Sequence, residues 1–434
     1  MQESLLHHLW SLQYFDKKDL RTTAGEPVEV FYPGILNTDA GPDFSTARLR
    51  IDGINWVGNV EIHAMSSGWL DHHHDQDPAY DSVILHVVWH DDKNIARRDN
   101  SALPMIELRG RVHEDLIRNY RQLIGSSFSI PCQRSFPAVD PVTRLSMVSK
   151  TLVHRLDRKA EEVYNLLRLN GNSWEETAYQ LLARAFGFKI NADPFFQLAK
   201  SVPLKLIQKQ SQLLHTEALL FGQAGFLEAA KGDVYYLKLQ QEYRLLAHKF
   251  STGNGKMSKS QWRFLRLRPP NFPSLRLAQL CAVLHERKAL FSSLMEAQTV
   301  KDLLGFFRVP PSGYWADHYQ FSKTSNNRIH ELGRGSVEII LLNSVVPLWV
   351  AYSRRMDDSN AMDRAIALLE ELPAEENSII RRWSDLGMPP RNSFEAQGLI
   401  ELFNTFCQRK NCLACSIGAS IIRPTDDKPR RTVS

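Results

Sequence analysis

In the first part of the chain the spacing of apolar residues switches repeatedly between helical and extended. From Glu3 to Phe15, the residues Leu5, Leu6, Leu9 and Trp10 share one helical face. After a turn at Gly25, Val28, Val30 and Tyr32 alternate as in a half-buried strand. A loop from Pro33 to Phe44 holds two prolines and two glycines. Ala47, Leu49 and Ile51 then alternate with Arg48 and Arg50, up to a turn at Asp52-Gly53. The next strand puts Val60, Ile62 and Ala64 on one face and Asn59, Glu61 and His63 on the other. Val83 to Trp89 is nearly all apolar, the pattern of a central strand covered on both sides. A short strand around Met105 and Glu107 follows, then a helix from about Val112 to Ile124.

From about Asp140 the period becomes helical throughout. Asp140-Pro141 reads as an N-cap with proline at the first helical position. Leu145, Val148, Leu152, Leu156, Val163 and Leu167 form one stripe that ends at Gly171. Ser173 and Glu176 have capping-box spacing ahead of the next helix, and helices continue through about Phe406. The fold class is therefore α+β. The expected domains are an α/β domain over 1–124, a Ser- and Pro-rich linker over 125–139, a helical domain over 140–422 and a tail over 423–434.

Composition narrows the picture little. At 434 residues, 43% hydrophobic and 23% charged, the chain is globular and long enough for two domains. A net charge of +5 permits nucleic-acid binding without demanding it. No stretch approaches the roughly 18 apolar residues of a membrane span; the longest run, Ile339 to Ala351, is broken by Asn343, Ser344 and Pro347. The first residues lack a basic segment and a small-residue cleavage site, so the expectation is a cytoplasmic protein with no membrane partner. Five cysteines argue against a disulfide framework.

Metal-capable side chains crowd residues 41 to 90: Asp43, Glu61, His63, the run Asp71-His72-His73-His74, Asp77, Asp81, His86 and His90. Glu61 and His63, two apart on a strand, point the same way, and pairing of their strand with that of Asp43 brings two carboxylates and an imidazole around one point. Carboxylates suit Mg²⁺ or Mn²⁺, and imidazole moves the preference toward Mn²⁺ or Zn²⁺. Structural roles are open to the same residues: a turn cap for Asp43, a solvated face for Glu61, a core histidine at His86. His72 and His74 are either a ligand pair or a histidine-rich surface loop.

Pro42-Asp43 and Glu61-Ile62-His63, in this order of elements, resemble the PD-(D/E)XK nuclease superfamily, with His63 where that superfamily has lysine. The resemblance implies a restriction-endonuclease-like core in which Asp43 and Glu61 hold Mg²⁺ or Mn²⁺. The carbonyl of Ile62 would assist them, His63 would position or activate water, and Glu3 would be an accessory acidic ligand. It implies a nuclease with DNA favoured over RNA as substrate. A non-catalytic nucleic-acid-binding or assembly protein, and a hydrolase of small substrates with a closed pocket, are the competing readings. Gly41-Pro42-Asp43-Phe44, Gly58 to His63, Asp77-Pro78-Ala79-Tyr80, Val83 to Val88, Glu217 to Gly225 and Arg268 to Pro273 also resemble a domain-of-unknown-function family of uncharacterised bacterial proteins, mostly from Bacteroidetes. That second resemblance is nearly full-length and implies no activity.

Cys407, Cys412 and Cys415 lie within nine positions of an otherwise cysteine-poor chain, with Cys132 as the fourth thiol of a possible Zn²⁺ or [4Fe–4S] site. Buried thiols without a metal are the alternative, and Cys281 reads as helix core. Arg263, Arg266, Arg268 and Arg276, interleaved with Trp262 and Phe264, suit phosphate binding with base stacking, or equally a solvated helix face. Lys256-Met257-Ser258-Lys259-Ser260 matches a nucleotide-binding loop of class I aminoacyl-tRNA synthetases, but helical sequence precedes it where that loop needs a Rossmann-type domain.

Overall fold

The computed structural model describes residues 1–252, 255–326 and 331–423. The chain forms two compact units: Met1–Met147 together with the segment from Leu402 onward, and Val148–Glu401.

The first unit is built on a mixed sheet. Helix α1 (Glu3–Ser11) is followed by strands β1 (Val28–Tyr32), β2 (Ile35–Leu36), β3 (Phe44–Ile51) and β4 (Ile54–Met65). A four-residue helix α2 (Gly68–Asp71), strands β5 (Val83–His90) and β6 (Met105–Glu107), and helix α3 (Glu114–Ile124) complete the series. The sheet order is β1-β3-β4-β5-β6, with β2 paired to β3. β1/β3 and β3/β4 are antiparallel, while β4/β5 and β5/β6 are parallel.

Local chemistry explains these bounds. Leu5, Leu6, Leu9 and Trp10 are the buried face of α1. The helix stops at Ser11 and not at Phe15, because Gln13 takes a left-handed conformation (φ 53°) that ends the repeat. Asp52 and Gly53 both have positive φ, 49° and 78°, which a two-residue hairpin turn requires, and Asp and Gly tolerate it. Six residues of β5, Val83–Val88, are buried, as its apolar run predicts.

The chain leaves this unit through helix α4 (Pro141–Leu169), where Asp140 Oδ2 accepts the Thr143 N–H at the N-terminus. The second unit is helical apart from a small two-stranded sheet, His318–Gln320 with Lys323–Thr324. Ser173 Oγ accepts from Glu176 N–H, the cap its spacing implies. The run Arg334–Met356 is long and apolar enough to cross a membrane, yet 67% of its most apolar window is buried among its neighbours. It is a core helix of this unit, interrupted by a π-turn at Leu341–Val345.

The C-terminal cysteine segment departs from the sequence-based division, which placed everything over 140–422 in one helical domain. Residues 402–423 belong to the first unit. Their helix Ser416–Ile422 packs on α3, where Asn119 Nδ2 donates to the Ile421 carbonyl at 3.3 Å. Lys410 Nζ donates to the Ile124 carbonyl at 2.7 Å, closing off the exposed carbonyl end of α3.

Candidate metal centre and cysteine cluster

Antiparallel pairing of β3 with β4 sets Phe44 opposite Val60, so Asp43 arrives beside Glu61. The Asp43 N–H donates to Glu61 Oε2, and the Ile62 N–H donates to Asp43 Oδ2, both at 3.0 Å. The backbone amide of Ile62 thus meets the Asp43 carboxylate. A register shift between Phe44 and Ala47, with Thr46 at φ 58°, turns the start of β3 toward this contact. The preceding loop is tied down where the Asn37 amide donates to the Pro42 carbonyl and the Asn37 N–H to that of Asp43.

Glu61 is buried and has two differently occupied oxygens. Oε2 faces Asp43, while Oε1 lies 3.2 Å from His74 Nε2 and 3.8 Å from His63 Nε2. His63 Nε2 is also 3.1 Å from His72 Nδ1. The ligand nitrogens of His63, His72 and His74 all lie within 4.8 Å of one another. Two ligand atoms bound at 2.0–2.1 Å to one tetrahedral ion sit roughly 3.3 Å apart, so spacings of 3.1 and 3.2 Å fit donors converging on a shared cation. Three imidazoles with a carboxylate favour Zn²⁺ or Mn²⁺ over Mg²⁺.

Behind this cluster, parallel pairing sets Glu61 opposite His86. His86 is fully buried and its Nε2 lies 2.9 Å from His63 Nδ1, while its own Nδ1 has no partner among the described residues. An N–H on the far nitrogen of a ligating imidazole needs such an acceptor, which fixes the ring and frees the other nitrogen's lone pair. Tyr80 stacks on His74 with ring centroids 3.7 Å apart, and buried Trp69 packs edge-on against His74. The Ser66 hydroxyl, bonded to Asp91, Asp92 and Lys93, anchors the turn into α2.

The electrostatics are those of a carboxylate pair lacking a counter-charge. Burial, reinforced by Asp43 and by Glu3, raises Glu61 to about 8. Burial and the neighbouring His74 and His72 lower His63 to about 4, so its imidazole is neutral near pH 7. Burial holds His86 well below its ordinary value, and burial with the Glu61 and Asp43 charges raises Tyr80 to about 12.

Glu3 is exposed and reaches the site through its field. The direct contribution of α1 is His7, one turn further on, whose Nε2 lies 3.2 Å from Asp43 Oδ2. Sequence reasoning missed His7, although its i, i+4 spacing from Glu3 puts both on the face opposite the buried leucines. It also missed the role of His86 as partner of His63.

Cys132, Cys407, Cys412 and Cys415 are all buried in the first unit. Burial pushes the Cys132 thiol up to about 12, with Cys415 and Cys412 adding to the shift. Cys407 is pushed up by burial and then by the other three thiols, and Cys412 rises to about 11 through burial and Cys415. These thiols act on one another and so share one neighbourhood, while the ligand atoms that meet within 4.8 Å of one another among the described residues are those of His63, His72 and His74. A Cβ on Gly418 would meet the Cys412 carbonyl oxygen at 2.2 Å, so glycine is needed for the last helix to pack there.

A family model described as a protein of unknown function, DUF2851, matches residues 3–378. The chain belongs to the DUF2851 family. The matched span covers Glu3, His7, Asp43, Glu61, all the clustered histidines and Cys132, and stops short of Cys407. No curated protein and no solved structure matches the chain.

In this DUF2851 protein the arginines chosen from sequence divide. Arg263, Arg266 and Arg268 are exposed. Arg276 is buried in helix Pro273–Glu286, bonded to Gln279, Asn271 and Ser336, with its guanidinium over the Phe188 ring. Burial lowers it to about 10, and it is a structural residue that presents no surface to phosphate. Around Lys256-Met257-Ser258-Lys259-Ser260 the structure has a capping box over the short turn Lys259–Gln261, reached from helix Val234–Phe250.

One glycine sets the geometry of the histidine cluster. A Cβ on Gly68 would lie 2.8 Å from His63 Cδ2 and 3.0 Å from Cγ. His63 is held between His86 and His72, so the ring can give way only by loosening those contacts. Gly68→Ala should cost roughly 1–3 kcal/mol of stability by overpacking, and should weaken divalent-ion binding about tenfold by displacing the ring. Thermal unfolding and Mn²⁺ titration of the variant check both.

Proposed function

We propose that this protein is a metal-dependent phosphodiesterase acting on nucleic acid, with DNA the first substrate to test. The observation that carries this reading is the meeting of Asp43, Glu61 and His63 on adjacent strands, with His74 against Glu61 and His72 against His63. The order of elements, a helix, four antiparallel strands of which β2 has two residues, a short helix and a parallel strand, supports the resemblance to the PD-(D/E)XK superfamily.

Asp43, Glu61, His63, His72 and His74 would hold the ion, with Zn²⁺ or Mn²⁺ preferred for the imidazole content. Bound there, a divalent cation supplies charge neutralisation at a phosphoryl oxygen. The remaining work falls to the chain. Neutral His63 offers a lone pair where a lysine would offer a positive charge, and His86 holds its orientation. Asp43 would orient the quarter-exposed His7 ring through its Nε2–H, 3.2 Å away, leaving Nδ1 to accept the proton of an attacking water as the P–O bond to the leaving group breaks. The cysteine quartet would hold a structural Zn²⁺ or [4Fe–4S] group, whose charge relieves the repulsion among buried thiolates.

The test is cleavage of labelled single- and double-stranded DNA and RNA with Mn²⁺, Zn²⁺ or Mg²⁺, by wild type, Asp43→Ala and Glu61→Ala. The expected result is cutting in the presence of metal that both substitutions remove. Binding without cutting under all these conditions would replace hydrolysis with the non-catalytic nucleic-acid-binding reading.

A further inference from the structure

The first unit contains a second feature, made of residues that the metal centre does not use. A cavity of about 1290 Å³ lies among the end of α3, the segment from Gly125 to Val139, the start of α4 and the end of helix Ser416–Ile422. It exceeds the roughly 300–1,000 Å³ of small-molecule pockets. Three guanidiniums line it, Arg121, Arg134 and Arg423, all exposed, and none forms an ion pair among the described residues. Arg134 sits over the ring of Phe128, 5.2 Å from its centroid, and this ring is itself 37% exposed. Arg423 lies over Tyr14. The one carboxylate in the lining, Asp140, is turned to its helix-capping bond with the Thr143 N–H.

Planar, permanently charged forks beside an exposed aromatic ring suit a ligand that carries phosphates and flat bases together. Serine hydroxyls and the side-chain amides of Asn119 and Gln122 fill the lining between the cations and add donors for phosphate and sugar oxygens. The walls lie close to the cysteine quartet in sequence: Arg134 is two residues after Cys132, and Arg423 ends the helix that starts after Cys415.

We propose that this cleft binds the phosphate backbone of a single-stranded nucleic acid, with a base stacked on Phe128. The choice of ligand class rests on the phosphodiester reading, while the residues are independent of it.

Fluorescence anisotropy with labelled oligo-dT and oligo-U tests the proposal on the full chain in the Asp43→Ala background, so that turnover does not enter. Arg121→Glu/Arg134→Glu, and the milder Arg121→Gln/Arg134→Gln, should weaken binding tenfold or more. The neutral pair should also flatten the dependence of log affinity on log salt by about 1.4, two phosphate contacts at about 0.7 each. Phe128→Ala should weaken binding several-fold with no change in salt slope. Unchanged affinity in both arginine pairs would overturn the proposal, as would competition by polyglutamate or inorganic phosphate equal to that of unlabelled oligonucleotide. Cleft-dependent binding by a wild type that never cuts would uphold the cleft and reject hydrolysis. Cutting by wild type with binding indifferent to the cleft would do the reverse.

Discussion

Glu61→Gln should abolish metal-dependent cleavage, by about 10³-fold or more, while making the metal-free protein more stable above neutral pH. Both effects come from one buried carboxyl. Glutamine keeps its shape and, like the protonated acid, one acceptor oxygen for the Asp43 N–H, with its amide nitrogen turned to the histidines, but the charge that holds a cation is gone. The stability effect follows from proton binding. Folded Glu61 keeps its proton up to about 8, whereas its ordinary value is 4.5. Between these values the folded chain binds more protons than the unfolded one, so stability falls as pH rises. The stabilising contribution is complete below about 4.5 and lost above about 8. His63 has the opposite sign, its folded value being about 4 against 6.5, so its contribution grows from pH 4 to 6.5 and is constant above. The window from 6.5 to 8 therefore reports Glu61 alone of this pair. There the metal-free wild type should lose about 1 kcal/mol per pH unit, an effect absent in Glu61→Gln. Chemical denaturation of both chains at pH 6.5 and 8 measures it. Divalent-ion affinity of the wild type should run the other way, rising about tenfold per pH unit up to about 8, since the ion needs the ionised carboxylate.

The second large effect belongs to the cysteine quartet. If the quartet holds the proposed Zn²⁺ or iron–sulfur group, Cys132→Ala should eliminate it and lower the melting temperature by on the order of 10 °C, because metal binding at a four-cysteine site is folding free energy. Cys281→Ala, in the core of the second unit, should leave the metal content unchanged and cost only packing. Elemental analysis together with thermal unfolding separates the two variants. Loss of stability in Cys132→Ala with no metal in the wild type would identify the quartet as ordinary buried thiols. Segments 130–136 and 402–423 lie in one unit and both line the arginine-lined cleft, so the substitution should act on its walls and leave β3 and β4 intact.

Much of the candidate metal centre was legible because its strands are joined locally. The Asp52-Gly53 turn and the alternation on both sides of it set the β3/β4 hairpin, and with it the approach of Asp43 to Glu61. His63 followed from the two-residue period of β4. The position of His86 was not legible, since parallel strands have no connecting turn to fix their register, and Glu61 opposite His86 depends on the whole crossover through α2. The loop histidines needed the same crossover: His72 reaches His63 and His74 reaches Glu61 because Gly68 lets α2 lie against the His63 ring. Arg276 illustrates a different limit. A charged residue beside exposed arginines reads as surface until the non-local neighbours of its helix are known, and here they enclose it.

The account stands on the Asp43–Glu61–histidine cluster being a divalent-metal centre. The most direct measurement is Mn²⁺ binding at pH 8 followed by electron paramagnetic resonance, since Mn²⁺ suits oxygen and imidazole donors and disfavours thiolate. One tightly held Mn²⁺ per wild-type chain, lost in Glu61→Ala and weakened in His74→Ala, is the predicted result. Mn²⁺ that stays free with wild type, or binds equally well to Glu61→Ala, would contradict it.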